Sequence, residues 1–319
     1  MGKAARRQRK AEQSANPKVL PAPFVARPFE GLPGETDWVA MREIVPAATA
    51  RVRLRDSEAV RSALEAGAAK PSQPAEIEVT IATILPNAWP GVHRDTGEVL
   101  VGLQSHTATG DPSRDVAAVI LALLGTPAGQ PLTGARQADA KTPRLQDILD
   151  LDSPLEAEVH DSFGYWVSDV STLDAQSKAE LAEADDSIIP TVKMPDSFVP
   201  EGASAYWCRV GERTHIRLLL PQDENAATDA LARLHARGDA GLDGAPGEPG
   251  ATRLLGAFRA CGLLIPVWDL DPAREAADYG AALSAFSERF EAALAETEPL
   301  NADERRAKSG LLSRQLTIR

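Results

Sequence analysis

Cysteine is nearly absent from this chain: Cys208 and Cys261 are the two among 319 residues. Two thiols do not make a disulfide framework, and no C-x-x-C pair exists to form a zinc ribbon or a dithiol redox motif. Both stand in apolar contexts and read as reduced core thiols. Aromatic residues amount to only 5%, so the core must be assembled mostly from Ala, Leu, Val and Ile. Long apolar runs are missing too. The longest, Val116 to Leu124, has nine residues, and a bilayer span needs about 20. The N-terminus is basic, but residues 11–18 (AEQSANPK) supply no apolar stretch for a secretory signal. Arg6 stands where a myristoylation signal needs Ser or Thr. These absences point to a soluble, cytoplasmic protein that makes no membrane contact.

The common catalytic signatures are also lacking. A nucleoside-triphosphate loop needs glycines that expose backbone N–H groups and a Lys before Ser or Thr. Lys141-Thr142 follows Ala140, and Lys308-Ser309 has no glycines upstream. A P-loop NTPase is therefore not expected. No G-x-G-x-x-G follows a strand, so a dinucleotide site is unsupported. No G-x-S-x-G elbow is present. The five histidines, His93, His106, His160, His215 and His235, form no i, i+4 pair, so no metal is expected. No cofactor is expected either.

Charge is plentiful but unevenly placed. Residues 1–18 carry Lys3, Arg6, Arg7, Arg9, Lys10 and Lys18 against Glu12, a local +5, which leaves −17 on the rest of a chain with net charge −12. So acidic a body repels nucleic acid and anionic membranes. Contact with an anionic partner, whether acidic protein, RNA or ribosome, would have to run through Lys3, Arg6, Arg7, Arg9 and Lys10 and would be sensitive to salt. No aromatic interleaves those cations, so base stacking is not expected. The alternative is a solubilising tail. Pro17, Pro21, Pro23, Pro28 and Pro33 extend the tail into a proline-rich arm that Phe24 and Phe29 can anchor.

Beyond the arm the pattern is α+β. Thr36 is placed to cap a short helix carrying Trp38, Met41 and Val45 inward. Residues 50–55 read as a strand, and Asp56 as the cap of a helix ending at Gly67. Residues 76–85 alternate, and 98–104 form the next strand. Asp111 and Pro112 open a strong helix through Leu124. Residues 125–143 look like a linker. A strand at 157–162, a helix at 172–185 opened by a capping box of Ser171 with Asp174, strands at 204–210 and 213–220, and a helix at 223–237 repeat the earlier order. The chain is thus read as two tandem β-α-β-β-α units with extra C-terminal helices. The boundaries are 1–34 for a disordered basic and proline-rich tail, 35–125 for the first unit, 126–145 for the linker and 146–319 for the second unit. Within the second unit, 251–262 reads as a helix and Leu263 to Trp268 as a strand that Pro266 places at an edge or bulge. Asp271-Pro272 opens the longest helix, and Asn301 with Glu304 caps the last.

Two segments are candidate catalytic sites. Glu156, Glu158 and His160 share one face of a strand, which suits acid–base work or a solvated surface. The segment 104–113 joins a strand to a helix N-terminus and holds His106 and Asp111, although Asp111 can satisfy that terminus by itself. Two aromatic segments, around Trp89 and around Tyr165-Trp166, either wedge against the body or present a partner-binding surface.

The tail MGKAARRQRK, the loop LPNAWPG with the strand GEVLVGLQ, and the helix start GDPSRDVAA together resemble an actinobacterial family of uncharacterised proteins, a domain of unknown function, over most of the chain. The resemblance implies no activity and transfers no site residue. Some relatives carry the borrowed label preprotein translocase SecA. This sequence lacks the nucleotide loop and the C-terminal zinc-binding cysteines that such a label implies. Two readings follow: a non-enzymatic interaction or adaptor protein, which is preferred, and an enzyme of undetected class using a His/carboxylate site.

Overall fold

The computed structural model describes residues 20–67, 77–105, 109–132, 134, 137–244, 248 and 250–313. The basic residues Lys3, Arg6, Arg7, Arg9 and Lys10 lie outside them. The architecture is α+β, with two sheets of six and five strands. Of the proline-rich arm, Phe29 is fully buried and stacks on Trp38 at 5.7 Å. Phe24, the other expected anchor, is 81% exposed.

The first sheet contains β1 (Ala48–Arg53), β2 (Glu78–Ala82), β3 (Gly91–His93), β4 (Val99–Gly102), β5 (Gln130–Leu132) and β6 (Glu158–Val159) in the order β5-β3-β4-β2-β1-β6. The pair β2–β4 is parallel and the other pairs are antiparallel. Alternation on β1 sends Ala48, Ala50 and Val52 into the core and leaves Thr49, Arg51 and Arg53 on the open face. Three helices belong with this sheet: α1 (Glu35–Glu43), α2 (Glu58–Ala66) and α3 (Pro112–Leu124), and the short α4 (Leu145–Ile148) packs on α3. Asp111 caps α3 as expected, its carboxylate accepting from the Ser113 N–H with Pro112 next in line. Val116, Ile120, Leu123 and Leu124 are buried at helical spacing.

The second sheet contains β7 (Thr191–Lys193), β8 (Ser204–Val210), β9 (Arg213–Leu219), β10 (Arg253–Ala260) and β11 (Leu263–Asp269), ordered β10-β11-β9-β8-β7 and antiparallel throughout. One face carries Trp207, Ile216, Leu218 and Trp268 onto α6 (Glu224–Arg237) and α7 (Gly280–Leu294). α5 (Ala175–Asp185) precedes β7, and α8 (Ala302–Ser313) closes the described chain against α6. Among the described residues no helix is long and apolar enough to cross a membrane.

Several local expectations need correction. Residues 251–262 form strand β10, not a helix. A register shift between Leu254 and Gly256 breaks the period-2 pattern that marks a strand. β11 is not at an edge: it lies between β10 and β9. Pro266 is tolerated because pairing to β9 is confined to Val267–Asp269 and an isolated Leu264–Leu220 bridge, leaving a gap where proline has no N–H to give. Within residues 125–143, Gln130–Leu132 adds an edge strand, where Pro131 is admissible. The helix caps also shift. Gly34 in the left-handed region replaces Thr36, Ser57 replaces Asp56, and Asp174 replaces Ser171. Asp56 instead pairs with Arg61 at 2.5 Å. The strand around 157–162 shrinks to Glu158–Val159 and joins the first sheet.

The second face of the second sheet meets α1. Tyr206, Leu219, Leu263 and Ile265 share one core with Trp38 and Met41. Asp37 sits in that seam, 5% exposed. Its Oδ1 accepts from the Tyr206 hydroxyl at 2.7 Å and its Oδ2 from Lys193 Nζ at 2.7 Å. Burial alone would lower the pKa of the Lys193 ammonium, but Asp37 and then Asp196 outweigh it and raise the pKa overall. Burial, followed by Asp37, pushes the Tyr206 hydroxyl well above its ordinary value, so it stays protonated and donates. Replacing Asp37 by Asn leaves the part-buried Lys193 ammonium with only the exposed Asp196, at 3.4 Å, as counter-charge. The expected loss of unfolding free energy is roughly 2–4 kcal/mol, read from urea denaturation. A double-mutant cycle with Tyr206→Phe should show a coupling of about 1–3 kcal/mol; a coupling near zero would remove Asp37 as the link between the sheets.

Candidate functional site

The open face of the first sheet is concave. A cavity of about 700 Å³ lies over β1, β2 and β6 and is lined by Thr49, Arg51, Arg53, Glu78, Thr80, Arg94 and Glu98 together with Glu156, Glu158, His160 and Tyr165. The three residues expected on one strand face, Glu156, Glu158 and His160, therefore meet in one concavity. His160 Nε2 lies 2.7 Å from Thr49 Oγ1, and its ring centroid is 5.4 Å from that of Tyr165. Arg53 pairs with Glu78 at 3.4 Å, and Arg94 with Glu98 at 2.6 Å. Arg94 also donates to the Tyr165 carbonyl. Among the described residues the side chains of Arg51, Glu156 and Glu158 have no hydrogen-bond or ion-pair partner. Their charges are open to a ligand.

The aromatic segments close one end of this face. Trp89, Tyr165 and Trp166 pack against Ala82, Leu85 and Leu100, each of the three aromatics half-buried. Trp166 Nε1 donates to the Ile84 carbonyl at 2.9 Å, and the Tyr165 hydroxyl bonds the same oxygen at 3.2 Å. Phe163 stacks on Trp166 with centroids 4.3 Å apart. Burial raises the pKa of the Tyr165 phenol, keeping it neutral.

Asp111 lies elsewhere, and His106 lies outside the described residues. Asp111 is fully buried and faces the Nε atoms of Arg114 and Arg144 at 3.2 and 3.1 Å. Asp115 accepts from the Thr109 N–H and hydroxyl, both at 2.8 Å. This is a closed ion-pair network under a helix N-terminus. Among the described residues no group of three His, Cys, Asp or Glu is placed to hold a metal ion.

A second constellation went unread in the sequence. Strand pairing sets Cys208 opposite His215 and His215 opposite Asp269, in one row across β8, β9 and β11. His215 Nδ1 lies 3.7 Å from Asp269 Oδ1 and has no hydrogen bond. Cys208 is 2% exposed. Burial raises its thiol pKa, and burial lowers the His215 imidazole pKa against the pull of Asp269. Both groups are thereby held neutral, which leaves no thiolate. Cys261 is pushed up to about 12 by burial and by Glu43. At pH 8 a thiol of that pKa is ionised in roughly one molecule in 10⁴. The native protein should therefore react with iodoacetamide at pH 8 at least about 100-fold more slowly than glutathione, with both thiols labelling once urea unfolds it. Fast native labelling of Cys208 with a midpoint near pH 7 would make the row a nucleophile site instead.

No curated protein and no solved structure matches the chain. A family model does match it, over residues 28–319, a span that opens beside the buried Phe29, includes both sheets and reaches the C-terminus. The chain belongs to this family, described as a family of unknown function (DUF5926).

Proposed function

We propose that this chain is a non-enzymatic interaction protein whose site is the concave face of the first sheet. The observation that carries the reading is the set of charges in the cavity with no partner, Arg51, Glu156 and Glu158. Unpaired charges at the surface cost little, yet three in one concavity offer a polar ligand complementary contacts that are already in position. With two free carboxylates against one free guanidinium, the preferred ligand group is a cation flanked by a carbonyl or carboxylate, as in a peptide bearing Lys or Arg. Groups elsewhere in the fold that would do covalent chemistry are held inactive: the thiols are neutral, and Asp111 is enclosed by two arginines.

In this reading the protein is cytoplasmic. The cations Lys3, Arg6, Arg7, Arg9 and Lys10 extend the contact to an anionic protein or RNA surface. That contribution weakens steeply with salt, because each neutralised phosphate releases counterions. Tyr165 lines the site, and Trp166 beside it in the chain serves as a reporter.

One observation favours a second reading. A hydroxyl and an imidazole 2.7 Å apart in a cavity, Thr49 and His160, have the spacing of a hydroxyl paired with a general base. No group orients the far nitrogen of His160 among the described residues, which sets this reading second.

The test is a titration of the full chain with arginine amide, followed by the His160 ring protons and by Trp166 fluorescence. Saturable shifts on the order of 1 mM are expected for a fragment of this size. They should be lost in Glu156→Gln/Glu158→Gln, a surface pair whose stability should stay within about 0.5 kcal/mol of the parent. Shifts that persist in that variant, or turnover of an ester probe abolished by Thr49→Val, would overturn the proposal.

A further inference from the structure

Two complementary charge sets occur in this one chain. The hollow on the first sheet holds the carboxylates of Glu156 and Glu158, whose side chains have no hydrogen-bond or ion-pair partner among the described residues. Most other charges there cancel in pairs, Arg53 with Glu78 and Arg94 with Glu98. Asp161, on the adjoining rim, adds a third carboxylate whose side chain has no such partner among the described residues.

The matching cations stand in residues 1–18. Lys3, Arg6, Arg7, Arg9, Lys10 and Lys18 face a single acid there, Glu12, for a local +5. The pairs Arg6-Arg7 and Arg9-Lys10 present cations flanked by backbone carbonyls. That is the ligand chemistry the two carboxylates and the Arg51 guanidinium favour.

The root of this segment is fixed on the body. The Ala140 N–H donates to the Leu20 carbonyl at 3.1 Å, and Pro21 bridges to Asp139. The Val25 N–H donates to the Gly110 carbonyl at 2.8 Å, and Phe29 is buried against Trp38. The cations therefore extend from one point on the surface. An extended chain advances roughly 3.3 Å per residue, so from Leu20 the Lys10 side reaches about 30 Å and the Lys3 side about 55 Å. A body of this length has a radius of gyration of roughly 20 Å, and a hollow on it falls within that range. A flexible tether of this kind holds its cations near the body at an effective concentration on the order of 1 mM. That matches the affinity expected of the hollow for a single cationic fragment.

We infer that residues 1–18 are an internal ligand of the open face, their Lys and Arg side chains occupying the hollow at Glu156 and Glu158. This adds regulation to the proposed function and rests on that reading. A Lys- or Arg-bearing partner has to displace the tail. An anionic surface that captures the tail empties the hollow. The two partners then favour each other's binding by the same factor, as linkage requires. High salt weakens the internal contact by screening it.

The experiment compares the full chain with a full-length variant carrying Lys3→Ser, Arg6→Ser, Arg7→Ser, Arg9→Ser and Lys10→Ser. These positions lie outside the family-matched span of 28–319. Arginine amide is titrated into each and followed by the His160 ring protons. Its affinity should rise by at least about threefold in the variant, because the tethered competitor is gone. A second measurement locates the tail directly. A nitroxide on Ala5→Cys should broaden the His160 ring protons at low salt. The broadening should vanish at high salt, under saturating arginine amide, and in Glu156→Gln/Glu158→Gln. Equal affinity in parent and variant, or no broadening at low salt, overturns the internal contact and leaves the open-face site standing. Broadening between spin-labelled and isotope-enriched chains mixed together places the tail on a second copy and also overturns it. If arginine amide binds neither chain, both readings fall.

Discussion

The fold depends on one buried carboxylate. Asp37 enters the interior on α1, a helix whose other residues, Trp38 and Met41, belong to the core of the first sheet. A lone carboxylate in that position would be strongly unfavourable, since desolvating a charge without a partner costs several kcal/mol. Its partners come from the other sheet: Tyr206 on β8 and Lys193 on β7, both at 2.7 Å. The two sheets can bury their shared surface only in a docking that brings those donors to Asp37. Apolar contact between Leu219, Ile265 and the α1 side chains supplies area without direction. The carboxylate supplies direction, because hydrogen-bond geometry tolerates little displacement. Thr36 Oγ1 bonding the Gly202 carbonyl at 3.1 Å and Arg27 bridging Glu35 and the Pro221 carbonyl secure the same seam at its margin.

That docking creates the surface where function is proposed. Because α1 to α4 take up one face of the first sheet, with the second sheet docked on α1, its other face is left to solvent and to the short aromatic cluster. An antiparallel-rich sheet packed on one side places polar residues on the other, and β1 does so with Thr49, Arg51 and Arg53. The same docking brings the terminal strands β6 and β7 side by side without joining them. The concavity was not built by a local motif.

This explains what could and could not be read from the sequence. Elements whose signals are local were legible. Asp111-Pro112 and the stripe through Leu124 gave α3, and alternation on both sides of Gly211-Glu212 gave the β8–β9 hairpin. The set Glu156, Glu158 and His160 was legible as one face because side chains two apart on a strand point the same way. What surrounds it was not, since Arg51, Glu98 and Tyr165 arrive from three other segments. β10 was misread because Leu254, Leu255, Phe258 and Cys261 also fit a helical face, while the bulge at Leu254/Gly256 hides the strand period. The signal that would have corrected it is the Cys261-Gly262 pair, both in the left-handed region at φ 46° and 81°, closing a two-residue hairpin between Ala260 and Leu263.

The row Cys208, His215 and Asp269 shows where residue type and chemistry separate. A two-residue turn at 211–212 makes the Cys208–His215 pairing a matter of counting outward along the hairpin, so that half follows from residue spacing alone. Asp269 does not, because β11 reaches β9 only after α6 and β10 have intervened. Yet completing the row does not make a nucleophile. An activated thiol needs a nearby cation or a hydrogen-bonded base to favour its ionised form, and here burial outweighs both Arg217 acting on Cys208 and Asp269 acting on His215. The residue types suit catalysis, but the environment suits a core. The reverse holds on the first sheet, where ordinary surface residues gain meaning because three of their charges were left unpaired in a hollow. In this chain the position of uncompensated charge discriminates between those two places better than residue identity does, and it favours recognition on the open sheet.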